Sequence, residues 1–448
     1  MRKLFGTDGI RGIANKYPLT IDVCVKLAKA LAKKFCENNE EDREIIIGKD
    51  TRISGDMFEH ALGATFASLG INTKLIGVCP TPAVSVLTKK MKAHFGIMIS
   101  ASHNPFSDNG IKVFNRDGLK LTDAEEEQIE AIMESGDESS NYSEVIGNKI
   151  GRIFTDPKTV DLYVEEIKKS FSFDKKVCEN IKIVVDSSNG SFSKIAPNIF
   201  RDFGFDIISI HDSPNGININ NGCGVTNPNI IAAATVENKA DIGIAFDGDG
   251  DRLLLCDEFG RFLDGDHILA ILVESCGLKN SEIVSTIMAN FGFEQYLKNE
   301  NIRLVRTKVG DRYISEYMQQ SQNALFGGEP SGHIIIREHA PTGDGLFAAL
   351  KVLDYIVKTG KKLSELQNLF TPYPVVSRNV NVRDKNIISS NKIIEKIDKY
   401  ERQLKNRGKL IVRPSGTEPL IRISAEGEDR NELNAIVNDF VDTIESMQ

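Results

Sequence analysis

No stretch of this 448-residue chain approaches the roughly 18 consecutive apolar residues that a bilayer-crossing helix needs, so no membrane partner is expected. The N-terminus runs Met1-Arg2-Lys3 and reaches Asp8 and Arg11 before any apolar stretch develops, which is not the pattern of a secretory leader. Paired cysteines are missing too. The seven cysteines are odd in number, scattered and without a C-x-x-C pair, which argues against a disulfide framework or a zinc site and for a reducing, cytoplasmic setting. There is no basic excess: 55 Lys and Arg against 63 Asp and Glu give a net charge of −8, which disfavours nucleic acid as a partner. An anionic substrate would therefore need a locally basic pocket. Low-complexity tracts are absent, and the 41% hydrophobic and 26% charged content is ordinary for a globular protein.

At about 150 residues per domain the length suggests about three domains. Strand-like runs at 44–47, 72–78 and 95–99 alternate with amphipathic helical patterns at 21–35, 57–69 and 83–91, which predicts parallel βαβ construction. The polar, turn-rich segment 135–148 is expected to be a linker. The pattern restarts with strands at 181–185, 206–210 and 241–246, and again at 282–287, 302–307 and 324–326, with helices between them. Pro372 and Pro374 break the chain, and the remainder reads strand–helix–strand–strand–helix. The expected domains are 1–150, 151–256, 257–370 and 371–448. The first three share an order of elements that suggests architectural repetition.

Ser100-Ala101-Ser102-His103-Asn104-Pro105 follows the apolar run 94–99 and has the chemistry of a tight, exposed loop at a strand's carboxyl end. In open α/β sheets that edge is where ligands sit, and a serine there can carry a covalent intermediate. The plain alternative is a turn with a strand-end cap. Asp247-Gly248-Asp249-Gly250-Asp251-Arg252 follows another strand and sets three carboxylates at every second position, glycines between. Such a loop can aim three hard oxygens at one centre, which suits Mg²⁺ or Ca²⁺ and not zinc. Glu258 stands at the twelfth position, where an EF-hand needs it, but Arg252 occupies that loop's glycine position and the flanks read as strands. A phosphate bridging metal and guanidinium explains the Arg better.

Four further polar loops accompany these two. The segment 5–12 is glycine-rich and carries Arg11; Lys308-Val309-Gly310-Asp311-Arg312 ends another strand. Gly328-Glu329-Pro330-Ser331-Gly332-His333 offers a carboxylate, a hydroxyl and an imidazole suited to sugar hydroxyls. Arg413-Pro414-Ser415-Gly416-Thr417-Glu418-Pro419 combines a cation, hydroxyls and a glycine, the makings of an anion cradle. Each alone reads most simply as a turn.

With these motifs in this order, the chain resembles the α-D-phosphohexomutases over its whole length. FGTDGIRG at the start, ISASHNPFSDNGIKVF at 99–114, Cys223-Gly224-Val225-Thr226 and RPSGTEPLIR at 413–422 point to the amino-sugar branch. Pro330 and Val225 depart from that branch, at positions not expected to do chemistry. The resemblance implies three α/β domains with parallel or mixed sheets, plus a smaller α+β domain, around a central cleft. It implies that Ser102 is phosphorylated in the active form and binds Mg²⁺ together with Asp247, Asp249 and Asp251. It implies interconversion of glucosamine 6-phosphate and glucosamine 1-phosphate through glucosamine 1,6-bisphosphate, on the way to UDP-N-acetylglucosamine. Arg11 and Arg252 would stabilise the transferring group, and His103, Lys112 and His333 are unranked candidates for proton transfer. Lys308, Gly310, Asp311, Glu329, Ser331 and His333 would hold the sugar; Arg413, Ser415, Gly416 and Thr417 would hold the non-reacting phosphate. A homodimer, and a kinase or self-phosphorylation to charge Ser102, are left open.

The rivals are a phosphomannomutase or phosphoglucomutase of the same family, a Mg²⁺-dependent phosphatase with Asp8 as its weak nucleophile candidate, and a Ca²⁺-binding module that would leave Ser102 and Arg413 idle.

Overall fold

A computed structural model describes residues 4–6, 8–36, 43–135, 145–415 and 419–447. Two compact units result, Met1–Met288 with Ile302–Asn368, and Ala289–Asn301 with Leu369–Gln448. The first holds three sheets and the second holds one.

The first sheet contains β1 (Ile10–Ile13), β2 (Glu44–Lys49), β3 (Asn72–Val78), β4 (Phe95–Ile99), β5 (Asp108–Asn115) and β6 (Ile153–Thr155), in the order β1-β5-β4-β2-β3-β6. β2, β3, β4 and β6 run parallel, β5 lies antiparallel beside β4, and β1 pairs antiparallel with β5 at the edge. All five residues of β4 are buried, as expected of a central strand covered on both faces. Helix Ile21–Phe35 forms where the pattern predicts it. Thr20 caps its first turn by accepting from the Val23 amide, Lys33 and Lys34 sit in its last turn, and Val23, Cys24, Leu27 and Leu31 bury one face. Phe66 meets Phe95 edge-on at 5.5 Å within the core beneath.

The second sheet has β7 (Lys182–Asp186), β8 (Asp206–Ile210), β9 (Ile242–Phe246), β10 (Leu253–Asp257) and β11 (Phe262–Leu263), ordered β11-β10-β9-β7-β8. The third has β12 (Glu282–Thr286), β13 (Arg303–Thr307), β14 (Ala324–Gly328) and β15 (Ile334–Ile336), ordered β13-β12-β14-β15. The repetition suggested by the sequence is here explicit. In each sheet a first parallel strand lies between the next two (β2, β7, β12), and the third is followed by an antiparallel strand beside it (β5, β10, β15). The serine loop, the aspartate loop and the loop 329–333 are the same connection in three copies.

The sequence pattern read most of the parallel strands and the strand-like flanks of the aspartate loop, and passed over β5 and β15. β5 reads Asp-Asn-Gly-Ile-Lys-Val-Phe-Asn, in which a buried lysine masks a buried strand. Two expected boundaries also differ. β6 extends the first sheet past residue 150, and β11 carries the second to Leu263, past 256, because short edge strands pair back across the sequence breaks. Of the expected linker, 136–144 lie outside the described residues; Val145 donates to the Ser68 carbonyl at 3.0 Å.

In the second unit β16 (Val375–Asn381), β17 (Gly408–Pro414) and β18 (Leu420–Gly427) form an antiparallel sheet, β16-β18-β17, against helices Asn391–Leu404 and Arg430–Ser446. Helix Phe291–Asn299 groups with this unit: Phe293 packs on Phe370 at 5.7 Å and the Phe291 amide donates to Glu426. Among the described residues no helix is long and apolar enough to cross a membrane.

Candidate active site

Ser102 follows β4 directly, but its loop is not exposed as expected. Ser102 is only 1% exposed, while Pro105 and Phe106 at the tip face solvent. Burial comes from a second loop lying on it. Ser102 Oγ donates to Asp247 Oδ2 at 2.6 Å, and Gly248 is so close that a Cβ there would lie 2.8 Å from the Ser102 carbonyl oxygen. Only glycine permits that approach. Ser102 itself has φ +53°, a left-handed conformation rare outside glycine and asparagine, and such strain persists only where the surroundings impose it.

What imposes it starts in β2. Asp50, just past that strand, accepts from Ser100 Oγ at 2.7 Å, and Ser100 Oγ accepts the Ser102 amide at 2.8 Å. Arg52, fully buried, pairs with Asp50 at 2.8 Å and donates to the carbonyls of Ser102 and Asn104 (2.9 Å each) and of Asp108 (3.0 Å). Neither residue stood out in the sequence, because their motif, Asp50-Thr51-Arg52, resembles any polar turn after a strand.

Asp247, Asp249 and Asp251 are buried, and a carboxylate oxygen from each lies within 4.8 Å of the others. Their loop joins β9 to β10, and Gly250 (φ +74°) supplies the turn between the second and third carboxylates. Asp249 Oδ1 and Asp251 Oδ1 are buried without a hydrogen-bond partner, which a native interior seldom tolerates. Burial and then Asp251 and Asp249 push Asp247 well above the ordinary carboxylate range. Three hard oxygen donors, two of them orphaned, fit a bound divalent cation such as Mg²⁺.

Cations surround this cluster. Lys112 on β5 is 1% exposed and lies 2.8 Å from Asp249, 3.3 Å from Asp251 and 2.9 Å from Asp8. Burial opposes its charge, but Asp249, Asp8 and Asp251 outweigh that and raise Lys112 well above its ordinary value. Asp8 also pairs with Arg11, and with Lys120 at 2.6 Å. Lys120 reaches on to Asp311, so that residue, expected on the sugar, is engaged by a lysine. Asp8 and Lys120 were not anticipated in these roles; only the fold brings them here. Burial opposes the charge on Arg252, and Asp247, Asp251 and Glu329 overcome it.

Two histidines flank the site. His103 Nδ1 is 3.2 Å from Ser102 Oγ, and burial, then Arg252 and Arg11, push its pKa down to about 4. His333 Nε2 is 3.2 Å from Asp311 and its Nδ1 3.7 Å from Asp251. Burial disfavours a charged ring there, yet Asp311 and Asp251 raise His333 above its ordinary value. The Gly343 amide also points at Nε2, at 2.9 Å, a contact that suits a neutral ring. Two carboxylates against one amide favour the protonated form.

Of the expected sugar residues, Glu329 is half-buried and accepts from the Gly310 amide at 3.3 Å; Ser331 and Lys308 are exposed, Lys308 over the Tyr313 ring at 5.7 Å. Arg252 and His333 bridge the second and third loops through their backbones. In the other unit, Arg413 on β17 stands opposite Arg422 on β18, and buried Ser415 donates its amide to Leu420 at 2.9 Å. Gly416 and Thr417 lie outside the described residues.

A second trio, Asp186, His211 and Cys223, also gathers ligand-type atoms within 4.8 Å. Both oxygens of Asp186 already accept amides, from Ser188 and Gly224 at 2.9 Å each, and His211 adds an ion pair at 3.2 Å. That trio braces a loop.

Comparison with known proteins agrees with this geometry. Four domain descriptions of phosphoglucomutase/phosphomannomutase match in order: alpha/beta/alpha domain I at residues 2–140, domain II at 161–260, domain III at 264–373 and the C-terminal domain at 378–443. The chain is 44% identical over 452 residues to a phosphoglucosamine mutase of Alkaliphilus oremlandii, covering 99% of each. It is 41% identical to that of Rhizobium johnstonii, covering 100% of this chain and 99% of the relative. A phosphoglucomutase/phosphomannomutase family protein from Burkholderia thailandensis has a similar fold, with a TM-score of 0.80 at 20% identity over 100% of this chain and 98% of that one.

Proposed function

The chain belongs to the phosphoglucomutase/phosphomannomutase family, and we propose that it is an isomerase interconverting glucosamine 6-phosphate and glucosamine 1-phosphate through phospho-Ser102. The observation that carries this reading is the 2.6 Å bond placing Ser102 Oγ inside the carboxylate cluster. Full-length relatives named phosphoglucosamine mutase support the amino-sugar substrate.

A phosphoryl group on Ser102 Oγ passes to a sugar hydroxyl: the Oγ–P bond breaks, a new O–P bond forms, the hydroxyl proton goes to a base, and the leaving Oγ takes up a proton to become the serine hydroxyl. The resulting bisphosphate turns end for end, and its other phosphoryl returns to Oγ as the sugar oxygen regains a proton. Phosphoryl transfer of this kind rests on positioning and charge neutralisation. Asp247, Asp249 and Asp251 would hold Mg²⁺ with the phosphoserine, and the bound ion supplies Lewis-acid neutralisation of phosphoryl oxygens. Arg11 and Arg252 remain charged and supply fixed positive potential. His103, Lys112 and His333 are the candidates for moving the proton: His103 is neutral at pH 7 with Nδ1 3.2 Å from Ser102 Oγ, while Asp249, Asp8 and Asp251 hold the charge on Lys112. Glu329, Ser331 and Lys308 are proposed for the ring, and Arg413 with the loop 415–417 for the phosphate at rest. The first charging of Ser102 needs a phosphoryl donor, either a kinase or a sugar bisphosphate.

The test is phosphorus NMR of enzyme with Mg²⁺, a trace of glucose 1,6-bisphosphate and, separately, the 6-phosphates of glucosamine, glucose and mannose. Isomerisation with the highest kcat/KM for glucosamine 6-phosphate is expected. A preference for mannose 6-phosphate would assign the chain to the phosphomannomutase branch, and release of free phosphate alone would make it a phosphatase.

A further inference from the structure

The carbonyl oxygens of Ser102 and Asn104 lie close enough together to share the same two donors. Each oxygen has two lone pairs to satisfy. Arg52 Nη2 takes one on each, at 2.9 Å, from within the first domain. The other on each is taken by a residue of the second domain. Asn220 Nδ2 donates to the Ser102 carbonyl at 2.8 Å and to the Asn104 carbonyl at 3.0 Å.

Asn220 is rooted for that task. It is itself left-handed, with φ +56°, a conformation asparagine tolerates better than most residues. Its amide donates to the Ser188 carbonyl at 2.9 Å, and Ser188 Oγ donates to the carbonyl of Phe246, the last residue before the aspartate loop. Ser188 and Gly224 are in turn held by Asp186. The side-chain amide of Asn220 also lies against Gly248, where an added Cβ would come within 2.8 Å of Nδ2. One side chain thus touches the loop carrying the nucleophile and the loop carrying its metal ligands.

We propose that Asn220 is a positioning residue that locks the Ser102 loop against the aspartate loop, fixing Oγ relative to Asp247, Asp249 and Asp251. The Asn220 side-chain amide is taken up by the two loop carbonyls, so its effect falls on the alignment of transfer and not on sugar affinity. This rests on the phosphoryl-transfer reading above.

The test compares wild type, Asn220→Ala and Asn220→Asp in two assays. In steady-state turnover of glucosamine 6-phosphate with Mg²⁺, Asn220→Ala should lose about tenfold to a hundredfold in kcat, the scale of a reacting group displaced by about an ångström, with KM little changed. Asn220→Asp keeps the size but aims a carboxylate at two carbonyl oxygens, so it should be worse than Ala. A residue that merely fills space would give the opposite order. The second assay, hydrogen–deuterium exchange, needs no activity: amides of the loop 102–108 should exchange faster in both variants while those of Ile242–Phe246 stay protected. Wild-type kcat in a folded Asn220→Ala protein, a change confined to KM, or unchanged exchange in the loop would each overturn the proposal. An inactive wild type would refute the mutase reading, and loop exchange would still decide the clamp.

Discussion

Lys112 and Asp249, 137 residues apart in sequence, form a fully buried ion pair with Nζ 2.8 Å from Oδ2. The lysine lies on β5, opposite Met98 of β4, so the antiparallel return of the chain after the serine loop delivers a cation to the carboxylate cluster of another domain. Removing one partner of a buried pair strands the other charge, at about 3–5 kcal/mol. Lys112→Met should therefore lower the thermal stability of the metal-free protein by that order. Mg²⁺ should restore much of the loss by neutralising the same carboxylates, while activity stays impaired. Calorimetry with EDTA and with Mg²⁺ checks this, and equal destabilisation in both would mean that the lysine, not a metal, is the cluster's counter-ion.

Ser102→Ala should abolish turnover and leave the fold intact. Because Ser102 is buried, the reason is not an exposed position but the small size of the lost contact. A single hydrogen bond contributes about 1 kcal/mol, here the one to Asp247. Intact-mass analysis of active wild type should show one phosphate, absent from the variant. Turnover at the wild-type rate in the variant would remove the covalent mechanism.

Asp249→Asn should raise the Mg²⁺ concentration needed for half-maximal activity, since it replaces a charged ligand and leaves Lys112 without its strongest partner. Mg²⁺ should also outperform Ca²⁺, which prefers more ligands at longer range. A titration with both ions, on wild type and variant, measures this.

His103 should stay neutral well below pH 6. Its folded pKa, about 4, lies under the ordinary 6.5, so the unfolded chain takes up a proton across that window which the folded one refuses. The stability contributed by this residue is therefore complete above about pH 6.5 and falls away as pH drops towards 4. Histidine NMR titration reads the ring directly. A midpoint near 6.5 would show that burial and the two arginines do not hold the ring neutral in acid.

Arg413→Ala should raise KM about tenfold to a hundredfold, the effect of losing a charged hydrogen-bond partner worth about 1.5–3 kcal/mol. Escape of bisphosphate per turnover should increase. Arg413 faces Arg422 across the β17–β18 pair, and burial with that neighbour lowers its pKa. Like charges directly opposite are destabilising, so the variant's melting temperature should not fall. An unchanged KM together with a lower melting temperature would make Arg413 a structural residue of the C-terminal unit.

The sequence by itself determined where the parallel strands and most helices lie, because periodicity of apolar residues is a local property: helix Ile21–Phe35 and strand Phe95–Ile99 were legible to the residue. The aspartate loop was legible for the same reason, its three carboxylates lying within five residues of one another. Tertiary structure alone decided that β5 is a strand, since its buried Lys112 looks like a surface residue until Asp249 and Asp8 stand beside it. It alone decided that Ser102 is covered, that Asp8 and Lys120 join the site, and that Asp50, Arg52 and Asn220 shape the serine loop. Those roles depend on charges and carbonyl oxygens that meet only when separate loops converge, and no spacing along one chain records which lone pair another loop will fill.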